Sequence, residues 1–378
     1  FSFTEFGLCK YYMIKASFME HRFSRHDLFQ TSVGLYLAAK AARAAEPAGP
    51  PAPAPVPLPA GLKVAVGLVK GDNRIANIKS ALEELIDADI RRKLVGRKTV
   101  IIKPNFVSTN KQLAATPADA VRGIIDYLGP RWKGPIVIAE SSAGSTTEGF
   151  KNYHYNELVK DFPGRDIKLV DLNEEGLYET IPLLDGDLHV QTCRLAKRMC
   201  DPEAFVISAG VLKTHNVLIA TLNIKNMALG TPLHNARKDK YFNDKRIFHG
   251  GVRQTHYDVM LTAQKLSPNW GIGVLDGYEG MEGEGPSQGT PVASRLAIAS
   301  TDFVAADRIG VECMGIDPEW MGYLRYCEQA GVGAYDRSRI ELRGEQVASV
   351  QKKYRLHNDI ELELQWRGPL TDLPPKLG

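Results

Sequence analysis

The chain has 378 residues, 44% hydrophobic and 24% charged, with a formal net charge of +3 at pH 7. That length is enough for a sizeable core and two subdomains. The near-neutral balance, without a dense lysine–arginine stripe, gives no footprint for a nucleic-acid partner, and no apolar run reaches the roughly 20 residues of a transmembrane segment.

Residues 1–43 read as an N-terminal arm or a degenerate export signal. Phe1 with Glu5 is similar to a mature type IV pilin, but Lys10, Lys15, Glu20 and Arg22 interrupt the apolar helix that a pilin would continue. Further on, SRHDLFQ, the weakly apolar TSVGLYLAA and the small-residue site Ala42-Arg43-Ala44 resemble a twin-arginine signal, with His26 where the second arginine belongs. Export to the periplasm or the extracellular space is the expectation. The alternative is an amphipathic helix docked on the protein or on a neighbour. Residues 44–61, rich in proline and alanine, form a linker with the composition of polyproline II. Such an arm cannot fold alone, so self-association through residues 1–60 is expected, with a filament as the extreme outcome when the contact does not close.

From residue 62 strands alternate with helices, up to about 345, and 346–378 form a C-terminal extension. KVAVGLV, TVIIKPNFV, IVIAE, DIKLVDL, AFVISAG, WGIGVLDGY and SRLAIAS read as strands. IANIKSALEELIDADIRRKL reads as one amphipathic helix. TPADAVRGIIDYL reads as another, capped by Thr116 with Pro117 in its first turn. Further helices are predicted near Tyr155–Asp161 and over DFVAADRIGVECMG, where Asp302 is the N-cap. The alternation predicts an α/β fold with a largely parallel sheet covered on both faces, and hence a ligand site beyond the strand carboxyl ends.

The polar motifs fall at those ends. KPN places Lys103 and Asn105 after a buried strand, suited to an anion. ESSAGSTTEGF offers Ser141, Ser142 and Gly144, whose backbone amides can cradle a phosphate or carboxylate; it is neither a Walker loop nor a dinucleotide fingerprint. LKTHNVLIATLNIKNMALG sets Lys213, His215, Lys225 and Asn226 in an apolar frame, where unpaired charge is costly. DGYEGMEGEGP interleaves Asp276, Glu279, Glu282 and Glu284 with glycines, among them Gly283 and Gly285, and suits a hard cation or acid–base work. His249 and His256 add imidazoles. The simplest alternatives are strand-end turns, satisfied core groups and a solvated acidic turn. Asp307 lies one turn beyond Asp302 among apolar residues.

Taken together, KPN, the LKTH…IKN…G block, DG…GMEGEGP, STDFVAAD and the late Glu328–Asp336 element resemble the domain of unknown function 362 family over roughly residues 62–345. The resemblance implies a fold and an export signal but no assigned activity. Many members carry a ferredoxin-like cysteine cluster. Here Cys9, Cys193, Cys200, Cys313 and Cys327 contain no CxxC pair, so no iron–sulfur cluster is expected; a Cys193–Cys200 bridge stays open. The expected function is binding of a small anionic ligand, with or without a divalent metal. Lys213, His215, Lys225 and Asp276 would be the catalytic candidates. Lys103, Asn105, Ser141, Ser142, Gly144, Asn226, Gly283 and Gly285 would bind the ligand, and His215, His249, His256, Glu279 and Glu282 would hold a metal. The alternative is a structural subunit assembled through the arm.

Overall fold

A computed structural model describes residues 63–234 and 242–368. The arm, the linker and their proposed contacts lie outside the described residues. The frame is an eight-strand path, with two short strands paired to its sides. In chain order the path strands are β1 (Val64–Lys70), β2 (Thr99–Lys103), β3 (Ile136–Glu140), β4 (Ile167–Asp171), β7 (Ala204–His215), β9 (Trp270–Glu282), β11 (Leu296–Ser300) and β12 (Ile340–Gly344). Their spatial order is β12-β1-β11-β9-β7-β2-β3-β4. Every neighbouring pair on this path is parallel except the two made by β11. The side strands are β8 (Ile219–Thr221), antiparallel to β7, and β10 (Thr290–Val292), antiparallel to β9. A separate hairpin joins β5 (Tyr178–Leu184) and β6 (Val190–Ala196).

The apolar runs are buried on both faces because each face has its own core. Ile101, Val137, Ala139 and Val206 face one cluster; Val100, Ile102, Ile136, Ile138, Phe205 and Ile207 face the other. This is the period-two alternation of a sheet wrapped by helices. The second face is covered by α1 (Arg74–Glu83), α2 (Asp87–Leu94) and α3 (Ala118–Leu128), the first by helices 223–230, 252–266 and 303–313. All described residues belong to one compact unit rather than to the two subdomains that length alone allows.

Three local expectations are corrected. The long helix predicted over 75–94 is two, because Ile86 takes an extended conformation and starts a new helix. Asp87, in its first turn, accepts from Arg91 and Arg131, each at 2.5 Å. Thr116 is not a cap: Pro117 holds the N-cap position, and the Thr116 hydroxyl accepts from the Asn105 amide at 2.9 Å and donates to Ala209 O at 2.7 Å. The acidic glycine stretch is not a free loop, since β9 continues through Glu282. Asp302 does cap its helix, accepting from the amides of Val304 and Ala305. Cys193, Cys200, Cys313 and Cys327 are free thiols. Among the described residues no helix is long and apolar enough to cross a membrane.

The chain order places a site. From β2 it moves outward through β3 and β4, then returns to β7 on the other flank of β2. The crevice at such a reversal, beyond the strand carboxyl ends, is where open α/β sheets bind ligands.

Candidate functional site

At that reversal lies a cavity of about 330 Å³, lined by Lys103, Asn105, Glu140, Ser141, His215, Lys225, Lys245, Arg246 and His249 among others. β2 and β3 end at its floor with Lys103 and Glu140. β7 overshoots both: β2 stops opposite Ser208, while β7 runs on to His215 and turns back as β8. The remaining cations come from α4 (Asn223–Gly230) and from a 3₁₀ turn over Asp244–His249.

The floor is a closed polar lattice. The Lys103 ammonium donates to both Glu140 oxygens at 3.0 Å and to Asn226 Oδ1 at 3.2 Å. Glu140 also accepts from the amides of Phe106 and Ser141. Asn226 Oδ1 accepts a second bond from Asn105 Nδ2, and Asn226 Nδ2 donates to Lys103 O and Ser208 Oγ. Asn105 Oδ1 in turn accepts from Lys213 Nζ at 2.9 Å, and Ala114 O takes a further Lys213 bond at 2.8 Å. Burial without a carboxylate partner holds the Lys213 ammonium well below the ordinary lysine range, and burial also lowers Lys103 against the pull of Glu140. Gly230 is needed at this spot because a Cβ there would overlap the Lys103 ammonium.

Above the floor the balance changes. Lys225 is 4% exposed. Among the described residues its ammonium meets no acceptor, although it lines the cavity. Burial, with Lys103 second, brings it down to about 8. Lys245 donates to Ser141 Oγ, Leu229 O and Pro232 O, and burial brings it down to about 7. Arg246 and His249 are exposed at the rim. Of the described lining residues, Glu140 is the only carboxylate. His215 Nδ1 accepts from the amides of Val217 and Leu218 at 3.1 and 3.2 Å. Burial and four surrounding basic groups keep the imidazole well below its usual range.

α4 is held at this wall from behind. The Asp307 carboxylate, on the helix Phe303–Cys313, accepts from the Asn223 and Ile224 amides at 2.9 and 2.8 Å. It therefore supplies the cap that Leu222 at the N-cap position cannot, and burial raises it to about 7.

The sequence-predicted residues separate into groups. Lys103, Asn105, Ser141, His215, Lys225 and His249 line the cavity, and Lys213 and Asn226 lie directly behind them. Ser142 and Gly144 shape the neighbouring turn: Ser142 Oγ donates to Phe106 O and accepts from the Gly144 amide. Gly283 and Gly285 seat Pro286 at the rim. Thr214 Oγ1 donates to Gly283 O at 2.8 Å, and a Cβ on Gly285 would overlap Thr214 O. Asp276 is outside the lining: its Oδ2 stands 3.0 Å from Arg74 Nε at the start of α1.

The five candidate metal ligands are not gathered. His256 is buried against Tyr323 and Trp366, its Nδ1 accepting from the Tyr323 amide. Glu279 is exposed, and Glu282 accepts from the Arg355 amide. Among the described residues the one group with metal-ligand spacing is Asp185, Asp187 and His189, on the β5–β6 turn. Asp185 there already accepts from the amides of Asp187 and His189. Sequence reasoning missed Glu140, Lys245 and Arg246. The basic pair Lys245-Arg246 ahead of His249 was the available signal for the last two.

The sequence profile described as "Domain of unknown function (DUF362)" matches residues 100–312. The chain belongs to the DUF362 family. Every cavity residue named above lies inside the matched span, so the pocket sits in the DUF362 part of the chain. A thylakoid-associated protein of Synechocystis is 25% identical over 237 residues, which is 62% of this chain and 68% of that protein. Among solved structures, the lactate racemase apoprotein of Thermoanaerobacterium thermosaccharolyticum aligns over 68% of this chain and 58% of its own, with 15% identity and a TM-score of 0.41. A structural-genomics protein of Thermotoga maritima aligns over 70% and 59%, with 9% identity and a TM-score of 0.36. This DUF362 chain thus spans less than two thirds of either solved chain.

Proposed function

We propose that the cavity at the β2–β7 reversal binds a small carboxylate- or phosphate-bearing molecule. The observation that carries this reading is Lys225, a buried ammonium that opens into the cavity and has no acceptor among the described residues. Leaving a buried charge unpaired costs several kcal/mol, so an anion in the cavity supplies what the fold leaves out. Lys245 and Arg246 add positive charge from the opposite wall, and the Lys103–Glu140 pair holds the floor rigid. A low-dielectric, cation-lined cleft of this size fits a ligand of a few heavy atoms.

The test is calorimetric titration of inorganic phosphate, citrate and pyruvate into the protein and into Lys225→Met, with folding checked by circular dichroism. Binding to the wild type that drops at least tenfold in the variant is the expected result. Equal affinity in both would end the reading. The protonation sign is fixed: the charged lysine holds the anion, so affinity should fall as pH rises through about 8, where free Lys225 loses its proton. Binding well below pH 7, where Lys225 and Lys245 are both charged, should take up little proton, and binding above 8 should take up one or more. The signal-like segment before the linker supports delivery of this pocket to an extracytoplasmic compartment, to be checked by cell fractionation.

A further inference from the structure

The geometry of the β7–β8 turn points to His215 as a fixed, neutral hydrogen-bond donor. The ligand then presents an oxygen acceptor to Nε2–H, and His215 is neither the general base nor a metal ligand. The ligand half of this inference rests on the anion-pocket reading; the state of the ring does not.

A neutral imidazole has one protonated and one unprotonated nitrogen, and its neighbours choose which is which. Here the choice is made by backbone. The amides of Val217 and Leu218 both donate to Nδ1. A proton on Nδ1 would face two N–H groups, so the single ring proton belongs on Nε2. Among the described residues no acceptor meets Nε2, and the ring lines the cavity. A metal needs a nitrogen lone pair. That of Nδ1 is already taken by the amides, and Nε2 offers one only if the ring loses its last proton.

The imidazolium is excluded by the same surroundings. The charged groups that act on the ring are Lys225 on α4, His249 on the 3₁₀ turn, Lys213 on β7 itself and His357 in the C-terminal segment, and all four are basic. None offers a carboxylate to a charged ring. Glu363, buried near the same turn, has its Oε1 3.8 Å from Nδ1 of His357, and among the described residues no ion pair joins it to His215.

The turn itself is built to hold this arrangement. Ile219 has φ of +66°, a left-handed conformation that is an outlier for a β-branched residue. Such a conformation persists where the surroundings impose it, and it clusters at functional sites. The β-pairings His215–Ile219, Thr214–Ala220 and Lys213–Thr221 close the turn on both sides. A neutral imidazole donor polarises a carbonyl or phosphoryl oxygen without giving it a full charge. Beside it, the Lys225 ammonium takes the ligand's negative charge. The ligand class is therefore a small oxyacid with an acceptor oxygen placed against Nε2–H.

The experiment is ¹⁵N NMR of the full chain with labelled histidine rings, between pH 5.5 and 8.5. The expected result is one ring with unprotonated Nδ1 and protonated Nε2 that does not titrate. It is assigned by its absence in His215→Gln, or by its displacement in Ile219→Gly if the first variant fails to fold. A protonated Nδ1, titration within this range, or displacement of the Nε2 proton by added Zn²⁺ would overturn the proposal. Phosphate and pyruvate are then added separately, and the one that moves the Nε2 proton downfield identifies the oxygen source. If both anions bind by calorimetry and neither moves it, the donor role fails and the anion pocket stands; if neither binds while the ring state is as expected, the pocket fails and the ring assignment stands. In binding, His215→Ala should lose roughly 10- to 100-fold, the scale of a hydrogen bond to a charged group. His215→Gln, which keeps an amide donor, should recover part of that loss; equal loss in both variants would count against a donor role.

Discussion

Two regions of this molecule carry a high density of charge, and the structure treats them in opposite ways. In DGYEGMEGEG the acids divide between partners and solvent: Asp276 stands against Arg74, Glu282 accepts from the Arg355 amide, and Glu284 pairs with His357 at 3.0 Å. Glu279 faces solvent. In the cavity, by contrast, Lys103 is matched by Glu140, while Lys225 is buried with no acceptor among the described residues. Density of charge along a sequence therefore says little about a site. What marks one is a charge that the fold buries and does not answer.

The contrast can be broken by substitution. The largest effect should come from Glu140→Gln, which strips the Lys103 ammonium of its counter-charge in a site that stays buried. A loss of ~3–5 kcal/mol is expected, read by urea denaturation, and Lys103→Met added to it should restore part of the loss. If the single variant is as stable as wild type, the floor is not the closed lattice described. Lys225→Met should move stability the other way. Burial holds its ammonium at about 8, below the ordinary lysine value of 10.5, so the buried charge destabilises fully below pH 8 and the penalty fades towards 10.5. A gain of ~1–3 kcal/mol at pH 7, shrinking as the medium becomes alkaline, is the expected outcome; a loss would mean the ammonium has a partner.

Glu363 extends the comparison to a buried acid. Burial raises it to about 8 from the ordinary glutamate value of 4.5, although the Ile219 backbone pulls it down. The folded state therefore keeps a proton that the unfolded chain releases, and wild-type stability should fall between pH 4.5 and 8 on this account. Glu363→Gln removes that slope, so its advantage over wild type should grow across the same interval, to ~2–4 kcal/mol. Parallel stability curves would refute the assignment. The smallest effect belongs to Glu279→Gln, within ~0.5 kcal/mol and without change in anion affinity.

Much of the frame was legible because buried parallel strands leave continuous apolar runs, and IVIAE or AFVISAG can be read as nothing else once helices alternate with them. Lys103, His215 and Lys225 were legible for the converse reason, as polar residues inside such runs. Glu140 was hidden by position: as the last letter of a strand, it looks like a turn residue until Lys103 is seen 3.0 Å away. Lys245 and Arg246 were hidden by context, since an irregular 3₁₀ turn has no periodicity to set them apart. The acids of β9 misled because sequence cannot show that Arg74, far back in the chain, and Arg355, far ahead, lie beside them.

The overshoot of β7 also sets a reading frame for the chemistry. Lys213 and His215 are two apart on an extended strand, so they share a face with the cavity, while Leu212 belongs to the core on the other. The register against β9 is irregular between Val211 and Lys213, at the point where the strand leaves the common sheet. One residue inserted there would leave the sheet below untouched and carry the next letters of the strand to the opposite side. The same α/β body would then present Leu212 and Thr214 where Lys213 and His215 had stood, a frameshift in side chains rather than in codons.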